Sequence, residues 1–230
     1  ASKNTRCYNI FMMKEIPEDR FGNFSTHRTE GDLTPLGEQH PGNEYVDEKE
    51  VIHFSVEKSP QEQIIISQLA SLTMPVSTVF KKEMPEGKVM YFSPDVKNHP
   101  DYNKSIKLQK ANQAFLYWIF GDTDHGPGWN YGGSVFHDFD NGIIDKDWHD
   151  DINDDLTSQS YGHHLKKHQP EITAELLEKI QAFEKEIEGK QGLEFISSLT
   201  KKAEYTEVSP ERIQEILLWR CERAKTVLAA

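Results

Sequence analysis

An apolar run, AFLYWIF at 114–120, constrains the fold of this chain more than any other stretch. The residues before it, from 103 onward, have the pattern of a helix. Because a helix that is apolar on all sides is buried, we expect its last turns to enter a core. The next residues, GDTDHGPGWN at 121–130, are polar and rich in glycine. A polar loop is therefore expected to leave the core at this point.

Residues 51–95 carry alternating strand and helix signals. EVIHFSV repeats apolar residues at every second position, which is typical of a strand. SPQEQIIISQLASLT has three helix-start signals, because Ser59 suits the cap, Pro60 the first turn and Glu62 a capping box. VSTVFKK and KVMYFSP surround the turn EMPEGK and predict a hairpin. The expected buried stripe of the helix is Ile65, Leu69 and Leu72.

The C-terminal part of the chain is predicted to be helical. PEITAELLEKIQAFEKEIEG begins a helix at Pro170 and stops it at Gly189. SPERIQEILLWRCERAKTVLA begins a second helix with a Ser209 cap and Pro210. The buried face of that helix is expected to contain Ile213, Ile216, Leu217, Cys221 and Ala224.

Together these patterns predict an α+β fold with two lobes. A small mixed N-terminal lobe is expected over 1–95, and a larger helical lobe over 96–230. The stretch at about 17–50 is rich in Gly, Pro and Thr, so a long loop with little core of its own is expected there.

Composition excludes several classes of partner. The net charge of −12 at pH 7 disfavours nucleic acid, and the basic runs at 81–82 and 166–169 are too short to indicate membrane association. Cys7 and Cys221 make no disulfide framework and suit a reducing compartment. No apolar run approaches the about 20 residues of a membrane span, and the first residues lack signal-peptide features. We therefore expect a cytoplasmic protein, with a secreted effector as the alternative.

The polar residues after the apolar run stand in the order that phosphoryl transfer requires. That reaction needs a carboxylate to orient the acceptor hydroxyl, and oxygen ligands for Mg²⁺ near the phosphates. A short hairpin predicted at Gly132 and Gly133 separates the first group from the last. The set is Asp122, Asp124, Asn130, Asp138 and Asp140.

LYWIFGDTDHGPGWN, followed by FHDFDNGI, resembles the catalytic core of atypical kinase-like families, among them the type II phosphatidylinositol 4-kinases, secretory-pathway kinases and the actin-fragmin kinase. The resemblance implies a two-lobed protein-kinase-like fold that uses ATP with Mg²⁺ or Mn²⁺. By this likeness Asp124 matches the catalytic aspartate, and Asn130 and Asp140 the metal ligands, with Asp138 beside them. In the register of the aminoglycoside-type phosphotransferases, which the stretch also resembles, Asp122 is catalytic instead.

The resemblance places the nucleotide-holding residues in the N-terminal part. Lys14, in the strand-like IFMMKEI, is the best candidate for the phosphate-binding lysine, and Glu62 is its expected partner. Two departures stand out. No glycine-rich loop precedes a lysine, and Asp124 lies six positions before Asn130 rather than the usual five.

The sequence thus predicts an ATP-dependent phosphotransferase. A protein or small-molecule acceptor is expected rather than a lipid, because the chain is acidic. One alternative is a non-catalytic kinase-like binding module, which the missing glycine-rich loop favours. Another is an enzyme similar to the phosphothreonine lyases, with His53 in IHFSV at the position of their acid. Asp138 and Asp140 also suit a two-metal hydrolase.

Overall fold

The computed structural model describes residues 32–36, 44–99, 102, 106–122, 131–132, 135–139, 142, 144, 167 and 169–229. Within them, an antiparallel sheet comes first and a mostly helical region follows, so the predicted α+β class is confirmed. No helix in these ranges is both long and apolar enough to cross a membrane.

Five strands form one antiparallel, curled sheet. They are β1 (Thr34–Pro35), β2 (Glu44–Val46), β3 (Ile52–Ser55), β4 (Phe80–Glu83) and β5 (Val89–Pro94). Their spatial order is β1-β2-β3-β5-β4, so β3 and β5 are neighbours although a helix and β4 lie between them in sequence. The predicted β4–β5 hairpin is confirmed, with Phe80 opposite Phe92.

Strands β1 and β2 lie in the stretch where a loop was expected. They are only two and three residues long, which is too short for a two-residue period to be recognised. Leu33, just before β1, is buried in a small cluster with Phe80 and Phe92. The described part of this stretch therefore contributes to the sheet and to a core.

Helix α1 (Pro60–Ala70) begins at the predicted residue, but its predicted capping box is not formed. Ser59 has a left-handed backbone with φ of 44°, and its side chain makes no capping hydrogen bond. Glu62 instead accepts a long hydrogen bond, 3.5 Å, from the hydroxyl of Tyr205. A side chain far along the chain thus replaces the local cap as a partner of Glu62.

Burial of α1 extends well beyond the predicted stripe. Ile65 and Leu69 have no exposed surface, as expected, whereas Leu72 lies beyond the helix end and is half-buried. The buried residues of α1 are Gln63, Ile64, Ile65, Ile66, Ser67, Leu69 and Ala70. A helix enclosed on so many sides lies between other elements rather than on a surface.

The apolar run forms the buried helix end that the sequence predicts. Helix α2 (Ile106–Phe115) continues into a π-helical turn, Leu116–Phe120. Gly121 ends the turn with φ of 66°, a left-handed conformation that glycine adopts without strain. The rings of Phe115, Phe120 and Phe183 pack edge to face, with centroids 5.3 to 6.0 Å apart.

Three helices follow: α3 (Pro170–Ile187), α4 (Gly189–Ala203) and α5 (Pro210–Ala229). The predicted starts and the stop at Gly189 are confirmed, and Ser209 Oγ accepts a hydrogen bond of 3.2 Å from the Arg212 amide. All five residues predicted for the buried face of the last helix are buried. Long amphipathic helices are thus the best-predicted elements of the chain.

A short hairpin follows the π-helical turn, as predicted. It consists of β6 (Tyr131–Gly132) and β7 (Val135–Phe136). Strand β7 also pairs in parallel with the segment after α1, because Phe136 O accepts a hydrogen bond of 2.8 Å from the Ser77 amide and Phe136 N donates one of 3.2 Å to Pro75 O. The hairpin is therefore attached to the segment between α1 and β4.

The main core is shared by both parts of the chain. It contains side chains of α1, the π-helical turn, β7 and the helices α3, α4 and α5. Residues from both sides of position 95, the expected lobe boundary, thus meet in one cluster. The smaller cluster, around Phe80 and Phe92, lies on one face of the sheet. Tyr91 packs on the main core and lies on the opposite face, because successive strand residues face opposite ways.

Candidate functional site

Three of the predicted site residues lie within the described ranges: Asp122, Asp138 and Glu62. The other four, Lys14, Asp124, Asn130 and Asp140, lie outside them. The geometry of the candidate site is therefore built from these three side chains and from the segments that carry them.

Asp122 directly follows the end of the π-helical turn. Its backbone amide donates to Leu116 O at 3.3 Å, and the Gly121 amide donates to Tyr117 O at 3.1 Å. The residue is only 2% exposed. Asp122 is thus held by the last turn of a buried helix, and its carboxylate is largely enclosed by protein.

Asp138 begins the segment that the sequence assigns to the metal. Its side chain is exposed and its backbone is left-handed, with φ of 60°. Aspartate tolerates this conformation better than most residues, and strained backbone of this kind concentrates at functional sites. The next residue, Phe139, is completely buried. The backbone therefore turns sharply between an exposed carboxylate and a buried ring.

A hydrogen bond connects this segment to α1. The Phe139 amide donates to Gln63 Oε1 at 3.2 Å, while Gln63 Nε2 donates to Lys58 O at 2.9 Å. The Gln63 amide is only 2% exposed, and both of its ends are used. Gln63 stands next to Glu62, so the segment after Asp138 lies against the first turn of the helix that carries Glu62.

Close packing reinforces that contact. The Gly142 amide donates to Phe139 O at 3.1 Å, and a β-carbon added at Gly142 would lie 2.7 Å from Ile66 Cδ1. A larger residue at this position would therefore require the Ile66 side chain to shift. The structure brings Asp138 and Glu62 to neighbouring segments and ties Asp122 to the π-helical turn.

Glu62 is half-buried and also faces the corner between α4 and α5. Tyr205 in that corner bonds to Glu62, and the adjacent Glu204 forms an ion pair of 2.5 Å with Lys81 of β4. The corner therefore contacts both α1 and the sheet. Sequence patterns alone did not indicate these contacts.

No cluster of three or more His, Cys, Asp or Glu side chains suited to a metal ion occurs within the described part of the chain. Asn130 and Asp140 stand outside that part. The metal site is accordingly still a prediction.

A second polar cluster lies in the sheet. Asp47 Oδ2 and His53 Nε2 are 3.0 Å apart, and neither side chain has any exposed surface. Asp47 Oδ1 also accepts hydrogen bonds from the amides of Lys49, at 2.8 Å, and Val51, at 2.9 Å. The ring of Phe80 packs edge-on against His53. The pair thus closes the turn between β2 and β3.

The charge of the Asp47 carboxyl follows from its contacts. Burial by itself raises the pKa of the Asp47 carboxyl, but hydrogen bonds from the His53 ring and two backbone amides outweigh it. The pKa is therefore lowered. The Nε2 atom of His53 is already paired with Asp47 Oδ2, and the ring packs against Phe80. This arrangement anchors a turn, and it lends no support to a lyase-like role for His53.

Replacing Asp47 with asparagine is expected to destabilise the fold at pH 7 by about 1.5–3 kcal/mol, because buried hydrogen bonds to a charged carboxylate are lost or weakened. The carboxylate contributes stability above the unfolded pKa of about 3.9, and that contribution is lost as pH falls through the lower folded pKa. The difference between Asp47→Asn and wild type should therefore shrink towards pH 2. Urea unfolding from pH 7 to pH 2 measures it.

The exposed Glu57 provides the control for that series. Glu57→Gln is expected to change the free energy of unfolding by less than about 0.5 kcal/mol, as for other surface substitutions. A stability difference for Asp47→Asn that stays constant between pH 7 and pH 2 would show that the carboxylate does not stabilise the fold in the way proposed.

The geometry defines an α+β protein in which a hairpin segment lies against the first helix. Comparisons with models of protein families, with curated proteins and with solved structures find no match. The functional proposal rests on the contacts of α1, the β6–β7 hairpin and the π-helical turn.

Proposed function

We propose that the chain is an ATP-dependent phosphotransferase with a two-lobed, protein-kinase-like fold. The observation that carries the proposal is the 3.2 Å hydrogen bond between the Phe139 amide and Gln63 Oε1. It keeps the segment that contains Asp138 against the helix that carries Glu62. In protein kinases, a metal-binding aspartate and a glutamate of the first helix must both be in place for transfer.

The order of elements supports the same proposal. A single helix, α1, follows β3 and precedes the β4–β5 hairpin, and the helical region comes after the sheet. The buried helix end, Asp122, the β6–β7 hairpin and Asp138 then follow in the sequence that a catalytic loop and a metal segment require.

In the proposed mechanism, Asp122 or Asp124 orients the acceptor hydroxyl for attack on the γ-phosphate. Asn130 and Asp140, with Asp138 beside them, would hold Mg²⁺ or Mn²⁺. A divalent cation bound there would supply positive charge to offset the charge that develops in phosphoryl transfer. The left-handed backbone of Asp138 supports its place at the site, since such strain is frequent where a side chain must be aimed.

A non-catalytic kinase-like binding module is the second candidate. Kinases of the common type carry the phosphate-binding lysine on the strand before the first helix. The corresponding strand here, β3, has the sequence IHFS and contains no lysine. Lys14 is therefore the proposed lysine, and a chain in which Lys14 does not reach the phosphates would bind without transferring.

Labelled ATP supplied with Mg²⁺ or Mn²⁺ tests the proposal. The acceptors are a panel of proteins, small cationic molecules and phosphatidylinositol vesicles, with autophosphorylation scored as well. We expect transfer to protein or to a small molecule and none to vesicles. Transfer to vesicles alone would contradict the proposed acceptor class.

Nucleotide binding separates the two candidates. ATP at 100 times its dissociation constant should stabilise a protein that binds it by about 2.7 kcal/mol, which raises the midpoint of thermal unfolding. Stabilisation without transfer to any acceptor favours the binding module. If ATP causes no stabilisation and no acceptor is phosphorylated, both candidates are overturned.

A further inference from the structure

Arg220 is a charged residue inside the apolar face of α5. It has no exposed surface, and it stands among Leu217, Cys221 and Ala224 on that face. A guanidinium group stays charged at any physiological pH, and burying it is unfavourable unless its donors are used. A methionine or leucine would fill the same space without that penalty. The charge therefore needs an explanation beyond packing.

A hydrogen bond of Arg220 provides one. Its Nη1 donates a hydrogen bond of 2.8 Å to Ile119 O, across 101 positions of sequence. Ile119 belongs to the π-helical turn that ends at Phe120. The last carbonyl groups of a helix lack partners within it and form the negative end of its dipole. A buried cation at this end stabilises the turn by charge as well as by a hydrogen bond.

The same turn holds Asp122. The Asp122 amide is bonded to Leu116 O, at the start of the turn, while Arg220 is bonded to Ile119 O, near its end. Turns of the π type are uncommon and are frequent at functional sites. A shift of the turn would therefore move the backbone from which the Asp122 carboxylate projects.

We propose that Arg220 is a positioning residue for Asp122, and that it acts through the carbonyl group of Ile119. The inference rests on the proposed phosphotransferase function, and it favours Asp122 over Asp124 as the group whose placement the fold controls. Displacing a catalytic group by about 1 Å costs about 100-fold in rate. Arg220 thus affects the rate of transfer without touching ATP or the acceptor.

Two variants of Arg220 test the proposal. Arg220→Met keeps the volume and removes the charge and the donors, whereas Arg220→Lys keeps the charge but replaces the planar guanidinium with an ammonium group. For Arg220→Met we expect kcat to fall about 100-fold, with KM for ATP changed by less than about threefold. Arg220→Lys should recover part of kcat. Arg212→Met, on the exposed side of the same helix, is the matched control and should keep wild-type values.

Hydrogen exchange of two amides measures positioning without any activity. The Gly121 and Asp122 amides should lose about 10- to 100-fold in protection in Arg220→Met, as expected for loss of a buried hydrogen bond from a charged group. The Arg212→Met control should leave that protection unchanged. If Arg220→Met does not fold, Arg220→Lys takes its place in both measurements.

The outcomes separate this inference from the proposed function. A fall in kcat with ATP affinity kept, together with the loss of protection, supports it. Any of three results overturns the inference: unchanged kcat per folded molecule, a parallel loss of ATP binding, or unchanged protection of Gly121 and Asp122. If wild type transfers no phosphate, the proposed function fails, and exchange alone decides whether Arg220 positions Asp122.

Discussion

Replacing Asp122 with asparagine is expected to lower the rate of phosphate transfer by about 10²- to 10⁴-fold, the range that a positioned acid or base contributes. Asparagine has nearly the same size, but it does not accept a proton from the acceptor hydroxyl. The substitution changes little volume at this site, which is only 2% exposed. Initial rates with labelled ATP measure the effect, and thermal unfolding reports whether the variant is folded.

Asp124→Asn, made in parallel, identifies the catalytic aspartate. If Arg220 acts through the π-helical turn, Asp122→Asn should be the more damaging of the two. The exposed Asp32 supplies the control, and Asp32→Asn should keep the wild-type rate. Full activity in both Asp122→Asn and Asp124→Asn would contradict the proposed mechanism at its centre.

Gly192→Ala is expected to destabilise the fold by about 3 kcal/mol or more, because the new methyl group has no space. A β-carbon at Gly192 would lie 2.0 Å from Ile187 O and 2.1 Å from the carbonyl carbon. These are backbone atoms, and Gln214 Nε2 already binds Ile187 O at 2.6 Å. The corner between α3 and α4 therefore has little freedom to move away. Urea unfolding measures the loss.

Gly189, in the same corner, is the matched control. It has φ of 68°, and an added β-carbon would meet nothing within 4 Å. Gly189→Ala should therefore cost only the strain of a left-handed alanine, about 1–2 kcal/mol. Equal stability of the two alanine variants would show that α3 and α4 do not meet as closely as described.

Long periodic segments were predictable from sequence because their signals are local. Pro170 and Ser209 each stand beside an apolar pattern that repeats over several turns, so the starts of α3 and α5 could be placed. The strands β1 and β2 are too short to show a period. At Ser59 a left-handed backbone replaces the expected cap, and backbone conformation of that kind has no sequence signature for serine.

The candidate site was only partly predictable for a related reason. The order of its carboxylates can be read along the chain, whereas the hydrogen bonds that connect the site to the rest of the fold join residues far apart in sequence. The Phe139 amide meets Gln63 across 76 positions. Arg220 did leave a signal, since it stands at helical spacing from Ile213, Leu217 and Ala224 on a face that is otherwise apolar. Asp47 also left a signal, because it precedes a turn, where aspartate binds backbone amides. Its pairing with His53 depends on that turn.

The parallel pairing of β7 with the segment after α1 joins the hairpin to the chain beyond the end of that helix. Gln63 binds the Phe139 amide near the helix start, and two hydrogen bonds join Phe136 to Pro75 and Ser77 beyond its end. An outward swing of α1 alone would break the bond between Gln63 and the Phe139 amide. The hairpin segment is thus hydrogen-bonded to the chain at both ends of the helix. Glu62 and Asp138 stand next to Gln63 and Phe139 in sequence, so the backbones that carry the two carboxylates are linked by that one long-range bond.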